Sequence, residues 1–232
     1  MAVKWGSHMR PLLITVPIGC LLACIGGLLW VQAKARSEMP YSTSTDIVTN
    51  QPRHLVTAKM SAETDAKLGK LEPTIIAPDV NGKPVTIGSH DAERPQFVYF
   101  VLDGCPCSFD AEPLFHDLYK QFKGVVDFVS VTNGDLAKAK LWNSELSVPY
   151  ALVPDPKEEI IHEYGAKAAV YSVLLAKDGH VAKMWPGYSK ALLKEMNALM
   201  AKLSGVSEKP FDTKYAPNVK ATGCAFSDPG FK

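Results

Sequence analysis

The sequence lacks most of the side-chain patterns that carry enzymatic chemistry. Its 25 basic and 24 acidic residues leave a net charge of +1, so nothing electrostatic points to a nucleic-acid partner. No internal repeat at a period of about 20–50 residues is visible, which excludes a solenoid. There is no Ser-His-Asp order, no phosphate-cradling glycine loop and no Cys-x-x-Cys pair. His54, His90, His162 and His180 lack the paired spacing of metal ligands, and His116 falls off the apolar face of its helix. Each of them reads as a surface or loop residue. Cysteine is scarce at five residues: Cys20, Cys24, Cys105, Cys107 and Cys224.

Residues 1–10 contain Gly6-Ser7-His8-Met9, which resembles a cloning scar, in which case Met9 would be the natural start. Residues 11–31 (PLLITVPIGCLLACIGGLLWV) carry no charge, and an apolar helix of that length spans roughly 30 Å, the thickness of a bilayer core. No polar stripe exists to face water, so this stretch is expected to be a transmembrane anchor. A cleaved signal peptide is the first rival. The second is a lipoprotein site at Leu21-Leu22-Ala23-Cys24, although Ile25 to Val31 stay apolar where a mature lipoprotein turns polar. Cys20 and Cys24 share one helical face and read as small buried hydrophobes. Lysine and arginine flank both ends, so the positive-inside rule hardly discriminates. The signal-anchor arrangement places the bulk of the chain on the extracytoplasmic side.

Residues 32–70 are polar without sustained periodicity and read as a linker with a short helix near Ser61–Leu68; the domain proper is expected over 71–204. Asn81-Gly82 between two extended runs predicts a hairpin. Gln96 to Leu102 (QFVYFVL) predicts a buried central strand, and Leu114, Phe115, Leu118, Tyr119 and Phe122 share one face of the helix that follows. A second strand over Val125–Thr132, a helix over Leu136–Leu146, a short strand and a short helix come next. A second hairpin then turns at Asp178-Gly179, and Ser189 caps the last helix. Such alternation implies an α/β domain with helices on both faces of a central sheet. Residues 205–232, rich in Pro, Gly and Lys, read as an irregular tail.

Cys105-Pro106-Cys107 falls where the first central strand ends and a helix begins, the position at which such sheets place their chemistry. A thiol reacts as its thiolate, and a helix N-terminus favours that form through unpaired N–H groups and the helix dipole. Pro106 restricts the backbone between the two cysteines. A Cys-x-Cys disulfide closes a tighter ring than Cys-x-x-Cys, and strain makes a disulfide easier to reduce, which suits an oxidant or isomerase. Cys224, about 20 residues beyond the last helix, lies on a tail long enough to reach back to this site. Trp185-Pro186-Gly187-Tyr188 could line it, and Asp103 and Glu112 flank it, although packing and helix-start charge account for these residues equally well.

Ala77-Pro78-Asp79, Asn81-Gly82-Lys83-Pro84-Val85, the strand into Cys105-Pro106, Pro113 and the hairpin from Leu174 to Val181 together resemble the thioredoxin-like redoxins. These comprise the alkyl-hydroperoxide-reductase/thiol-specific-antioxidant and membrane-tethered thiol–disulfide oxidoreductase families. The resemblance covers roughly residues 71–204 and implies a central mixed sheet flanked by helices, with Cys105 as nucleophile. Counted back from Pro113, the usual second cysteine is replaced by Ser108, and Cys107 stands one residue early. The peroxidase pattern Pro-x-x-x-Thr/Ser-x-x-Cys has Val98 and Leu102 in its key places, and Val170 or a neighbour stands for the thioredoxin cis-proline. The expected function is therefore thiol–disulfide exchange with Cys107 or Cys224 resolving, on a protein or small thiol or disulfide substrate. This chemistry needs neither cofactor nor metal. A peroxiredoxin-like peroxidase and a non-catalytic thiol or Cu(I)-binding module are the rivals.

Overall fold

The structure, a computed structural model, describes residues 54–227. The expected scar, the anchor at 11–31 and the first part of the linker lie outside these residues. Among the described residues no helix is long and apolar enough to cross a membrane.

In chain order the elements begin with β1 (His54–Leu55), α1 (Ala58–Asp65), β2 (Ile75–Pro78), β3 (Pro84–Ile87) and β4 (Gln96–Val101). There follow α2 (Pro106–Phe122), β5 (Asp127–Thr132), α3 (Leu136–Leu146), β6 (Ala151–Pro154) and α4 (Glu159–Glu163). The chain then forms β7 (Ser172–Leu175), β8 (Val181–Trp185), α5 (Lys190–Ser204) and β9 (Ala221–Thr222).

The five-stranded sheet runs in the order β6-β5-β4-β7-β8. β4 pairs in parallel with β5, from Gln96↔Asp127 to Val101↔Thr132, and antiparallel with β7, from Gln96↔Leu175 to Tyr99↔Ser172. The sheet is therefore mixed, and β4 is its centre. Alternation along β4 explains why nearly all of its residues are apolar. Phe97, Tyr99 and Val101 face a core shared with α2, α3 and α5, while Val98 and Phe100 face a second core closed by α4 and the β2–β3 hairpin. A strand covered on both faces needs apolar side chains on both, each contributing about 1.5–3 kcal/mol on full burial. The first hairpin turns where expected: Asp79 Oδ1 accepts from the N–H groups of Asn81 (2.8 Å) and Lys83 (2.9 Å). Ser189 caps α5 by accepting from Leu192 N at 3.2 Å.

The flanking segments depart from the sequence reading. The boundaries expected at Leu71 and residue 204 leave 54–70 and the tail outside the domain, whereas backbone pairs join both to it. β1 and β9 pair antiparallel, His54↔Thr222 and Leu55↔Ala221. α1 is capped by Thr57 and tied to β8 by Lys183 Nζ on Asp65 Oδ1 at 2.7 Å. The tail is irregular for most of its length, yet Ala221 bridges Tyr188 and Ala225 bridges Ala168. Two-residue strands have no readable periodicity, so sequence patterning does not register them.

Gly187 permits this docking, because a Cβ there would overlap the Ala221 carbonyl. Gly187→Ala is expected to detach the tail, lower stability by about 1–3 kcal/mol and speed limited proteolysis within 205–227. Unchanged urea melts and digestion patterns would show that the docking contributes nothing.

Candidate active site

Central strand β4 delivers the chain to Cys105. After Val101 the backbone turns through Gly104, whose φ of +73° favours glycine, and Cys105 N donates to Leu102 O at 3.1 Å. Cys105 is the N-cap of α2, with extended backbone (φ −82°, ψ 118°) and Pro106 at the start of the helix. Proline suits this position because its missing N–H would have no helical partner there. The Cys105 carbonyl accepts from Ser108 N (3.0 Å) and Phe109 N (3.3 Å), so the thiol sits over the first turn with the positive end of the helix dipole beneath it. The loop before it is fixed by Asp103 N on Asn133 Oδ1 (2.8 Å) and by the Asp103–Lys138 ion pair (2.8 Å).

Three thiols meet at this point. Cys105 and Cys107 are buried, Cys224 is half-buried, and no disulfide joins them. Cys224 N donates to Cys105 Sγ at 3.3 Å. The Cys107 thiol hydrogen-bonds the same sulfur and is the largest influence drawing the Cys105 thiol far below its ordinary range. Burial opposes that shift, while the backbone N–H groups of Cys224 and Ser108 and the Cys224 thiol reinforce it. Cys107 moves the other way: its hydrogen bond to Cys105, its burial and the nearby charges push its thiol up. One sulfur is therefore poised as thiolate and its neighbour is held as a proton donor.

The tail reaches the thiols through main-chain pairing. Ala169 N donates to Cys224 O and Gly223 N to Ala169 O, both at 2.9 Å, and Thr222 Oγ1 donates to Ala169 O at 3.3 Å. Beyond them Ser227 N donates to Glu158 Oε2 at 2.9 Å, and Asn133 Nδ2 donates to Glu158 Oε1 at 3.0 Å. The anchor of the tail thus leads back, through Asn133, to the loop before Cys105. Val170, at the place expected for a cis-proline substitute, has φ +67°, and no cis peptide bond occurs among the described residues. A β-branched residue in this region is strained, as occurs at functional sites.

All three cysteines that the sequence singled out are thus brought together. Ser108, at the family's second-cysteine position, is fully buried and accepts from Leu102 N at 3.2 Å, which seals the end of β4. Glu112, read as a helix-start charge, is instead fully buried, accepting from Tyr99 Oη (2.7 Å) and Tyr150 Oη (2.8 Å) with His116 at 3.2 Å. Trp185 packs in the core against Phe97, and Tyr188 pairs with Ala221 of the tail. His54, read as a surface or loop histidine, has Nε2 at 3.5 Å from Cys224 Sγ. Nothing in the sequence signals this contact between residues 170 positions apart. Among the described residues no group of three or more His, Cys, Asp or Glu side chains converges to hold a metal.

A cleft of about 380 Å³ opens beside Cys105, lined by Phe109, Leu141, Trp142 and Lys138 among others. Phe109 and Leu141 are 42% and 57% exposed, so its wall is largely apolar. Val98 and Leu102, in the peroxidase pattern's key places, bring no hydroxyl near the sulfur. Arg94, the one arginine among the described residues, pairs with Asp127 at the far end of β4.

If Cys107 is the main donor to the Cys105 thiolate, Cys107→Ala should raise the midpoint of Cys105 alkylation against pH. In the wild type that midpoint is expected below pH ~7, against about 8.5 for a free thiol. An identical midpoint in both proteins would remove Cys107 from this role.

A family model described as the AhpC/TSA family matches residues 68–184. The curated relatives are distant. Chloroplastic peroxiredoxin Q of Arabidopsis thaliana is 23% identical over 114 residues, covering 49% of this chain and 53% of the relative, so the chain spans about half the length of that protein. A putative chloroplastic peroxiredoxin Q from Oryza sativa subsp. indica is 23% identical, covering 74% of each chain. Among solved structures, a putative thiol:disulfide interchange protein DsbE from Chlorobium tepidum superposes with a TM-score of 0.55 at 18% identity, covering 60% of this chain and 98% of that one. An uncharacterized conserved protein from Geobacillus kaustophilus gives the same TM-score and identity, covering 70% and 93%. With β4 leading into a cysteine at a helix N-terminus and a match over half its length, the chain belongs to the AhpC/TSA family and has its thioredoxin-like α/β fold.

Proposed function

We propose that the chain is a membrane-anchored, extracytoplasmic thiol–disulfide oxidoreductase in which Cys105 attacks, Cys224 resolves and Cys107 tunes. The observation that carries this reading is the hydrogen bonding of one sulfur, that of Cys105, by both of the other thiols and by the Cys224 backbone. The uncharged stretch at 11–31 supports the anchor, and disulfide chemistry fits the oxidising side of a membrane.

The Cys105 thiolate attacks one sulfur of a substrate disulfide. That S–S bond breaks, a substrate thiolate leaves and is protonated, and Cys105 is joined to the substrate. Cys224 then loses its proton and attacks the Cys105 sulfur, releasing the second substrate thiol and leaving a Cys105–Cys224 disulfide. Two electrons pass from the protein pair to the substrate, and the reverse sequence oxidises a substrate dithiol. Cys107 suits the resolving step less well, because its proton is held by the Cys105 sulfur and a Cys-x-Cys bond closes a strained ring. The apolar cleft beside Cys105 fits a substrate polypeptide with an apolar residue near its cysteine. A stabilised thiolate stabilises the reduced protein, so its disulfide is oxidising and the favoured direction is disulfide donation.

A redox titration against glutathione is expected to place the Cys105 couple above about −200 mV; a value near −270 mV, that of thioredoxin, contradicts the direction. Cys105→Ser should abolish exchange with a peptide disulfide, and Cys224→Ser should accumulate the Cys105–peptide mixed disulfide. Full turnover in Cys224→Ser would contradict the assignment of the resolving thiol. Dithiol-coupled consumption of hydrogen peroxide faster than disulfide exchange would favour the peroxidase that the peroxiredoxin Q relatives suggest.

A further inference from the structure

The resolving step needs a thiol that gives up a proton, and one basic side chain is placed to take it. We infer that His54 is a catalytic residue, the general base for Cys224, delivered to the site by β1. This rests on the reading of Cys224 as the resolving thiol.

The placement follows from register. His54 is paired with Thr222 across the β1–β9 ladder, and Val56 N on Lys220 O at 3.0 Å extends that ladder by one residue. Side chains two apart on one strand point to the same face, and the diagonal neighbour of a paired residue is within reach of a long or ring side chain. Cys224 is that diagonal neighbour, two beyond Thr222, and its Sγ lies 3.5 Å from His54 Nε2. The remaining described histidines sit elsewhere: His90 on the Glu72 carbonyl, His116 on Glu112, His162 on Glu158 and His180 on Asp178. Of the described histidines, His54 is the one in hydrogen-bonding contact with a cysteine sulfur. The same ladder leaves Cys224 N on Cys105 Sγ, so the sulfur that loses the proton and the sulfur it attacks are held by one short segment.

The step balances as follows. With its ring proton on Nδ1, His54 accepts the Cys224 proton at Nε2. The Cys224 sulfur bonds to Cys105, the bond from Cys105 to the substrate breaks, and the departing thiolate takes a proton from the imidazolium. His54 returns to its neutral form. No outside oxidant is needed, because the substrate disulfide accepts the electron pair.

Reduced full-length chain mixed with a chromogenic aromatic disulfide, dithiobis-nitrobenzoate, should release coloured thiolate in two phases. The first is attack by Cys105 and the second is resolution. His54→Ala is expected to leave the first phase unchanged, which also reports that the site is folded, and to slow the second about tenfold at neutral pH. Added imidazole should restore the second phase, and His54→Gln, which hydrogen-bonds without taking a proton, should not. Cys224→Ser should lose the second phase altogether. A second phase lost in Cys224→Ser but unchanged in His54→Ala overturns the role of His54 alone. A second phase that survives Cys224→Ser overturns both assignments, because Cys107 would then be resolving.

Discussion

The structure depends on a single acceptor, the sulfur of Cys105. A buried anion is costly unless hydrogen-bond donors replace the water it loses. Here the donors come from separate parts of the chain: the Cys107 thiol and the Ser108 N–H from the first turn of α2, and the N–H and thiol of Cys224 from the tail. Remove the tail and two of these donors go with it. The short β1 strand, the Ala169 backbone pairs and the Glu158–Ser227 clamp serve the same end, which is to hold residues 221–227 against the site.

This arrangement divides labour between two thiols that look equivalent on paper. Cys107 and Cys105 share one helical turn, and a donor fixed so close to a thiolate keeps its proton. Cys224 is held by backbone pairs to Ala169 and is half-buried, so its sulfur can approach Cys105 without straining the helix. The AhpC/TSA scaffold contributes the strand, the helix N-terminus and the position of Cys105, and in the proposed mechanism the tail contributes the second thiol that Ser108 cannot.

Much of this was legible in the sequence. The apolar run of β4, the turns at Asn81-Gly82 and Asp178-Gly179, and the Ser189 cap each carry a local physical signal, and each is observed. Cys105 was legible because a strand followed by cysteine, proline and an amphipathic helix leaves few other positions for it. Two things were not legible. Glu112 looks like a helix-start charge, but it is buried because Tyr99 and Tyr150, on β4 and just before β6, bring hydroxyls to it. His54 looks like a loop histidine because its partner is set by pairing between two-residue strands at opposite ends of the domain. Neither contact has a spacing that a sequence can display.

The central claim, that Cys224 closes on Cys105, is tested most directly by mapping. Full-length reduced chain is oxidised with one equivalent of a diazene oxidant, its remaining thiols are alkylated, and it is digested without reduction. The account predicts a linked peptide pair carrying Cys105 and Cys224, with Cys107 alkylated. A Cys105–Cys107 bridge with Cys224 alkylated would contradict it.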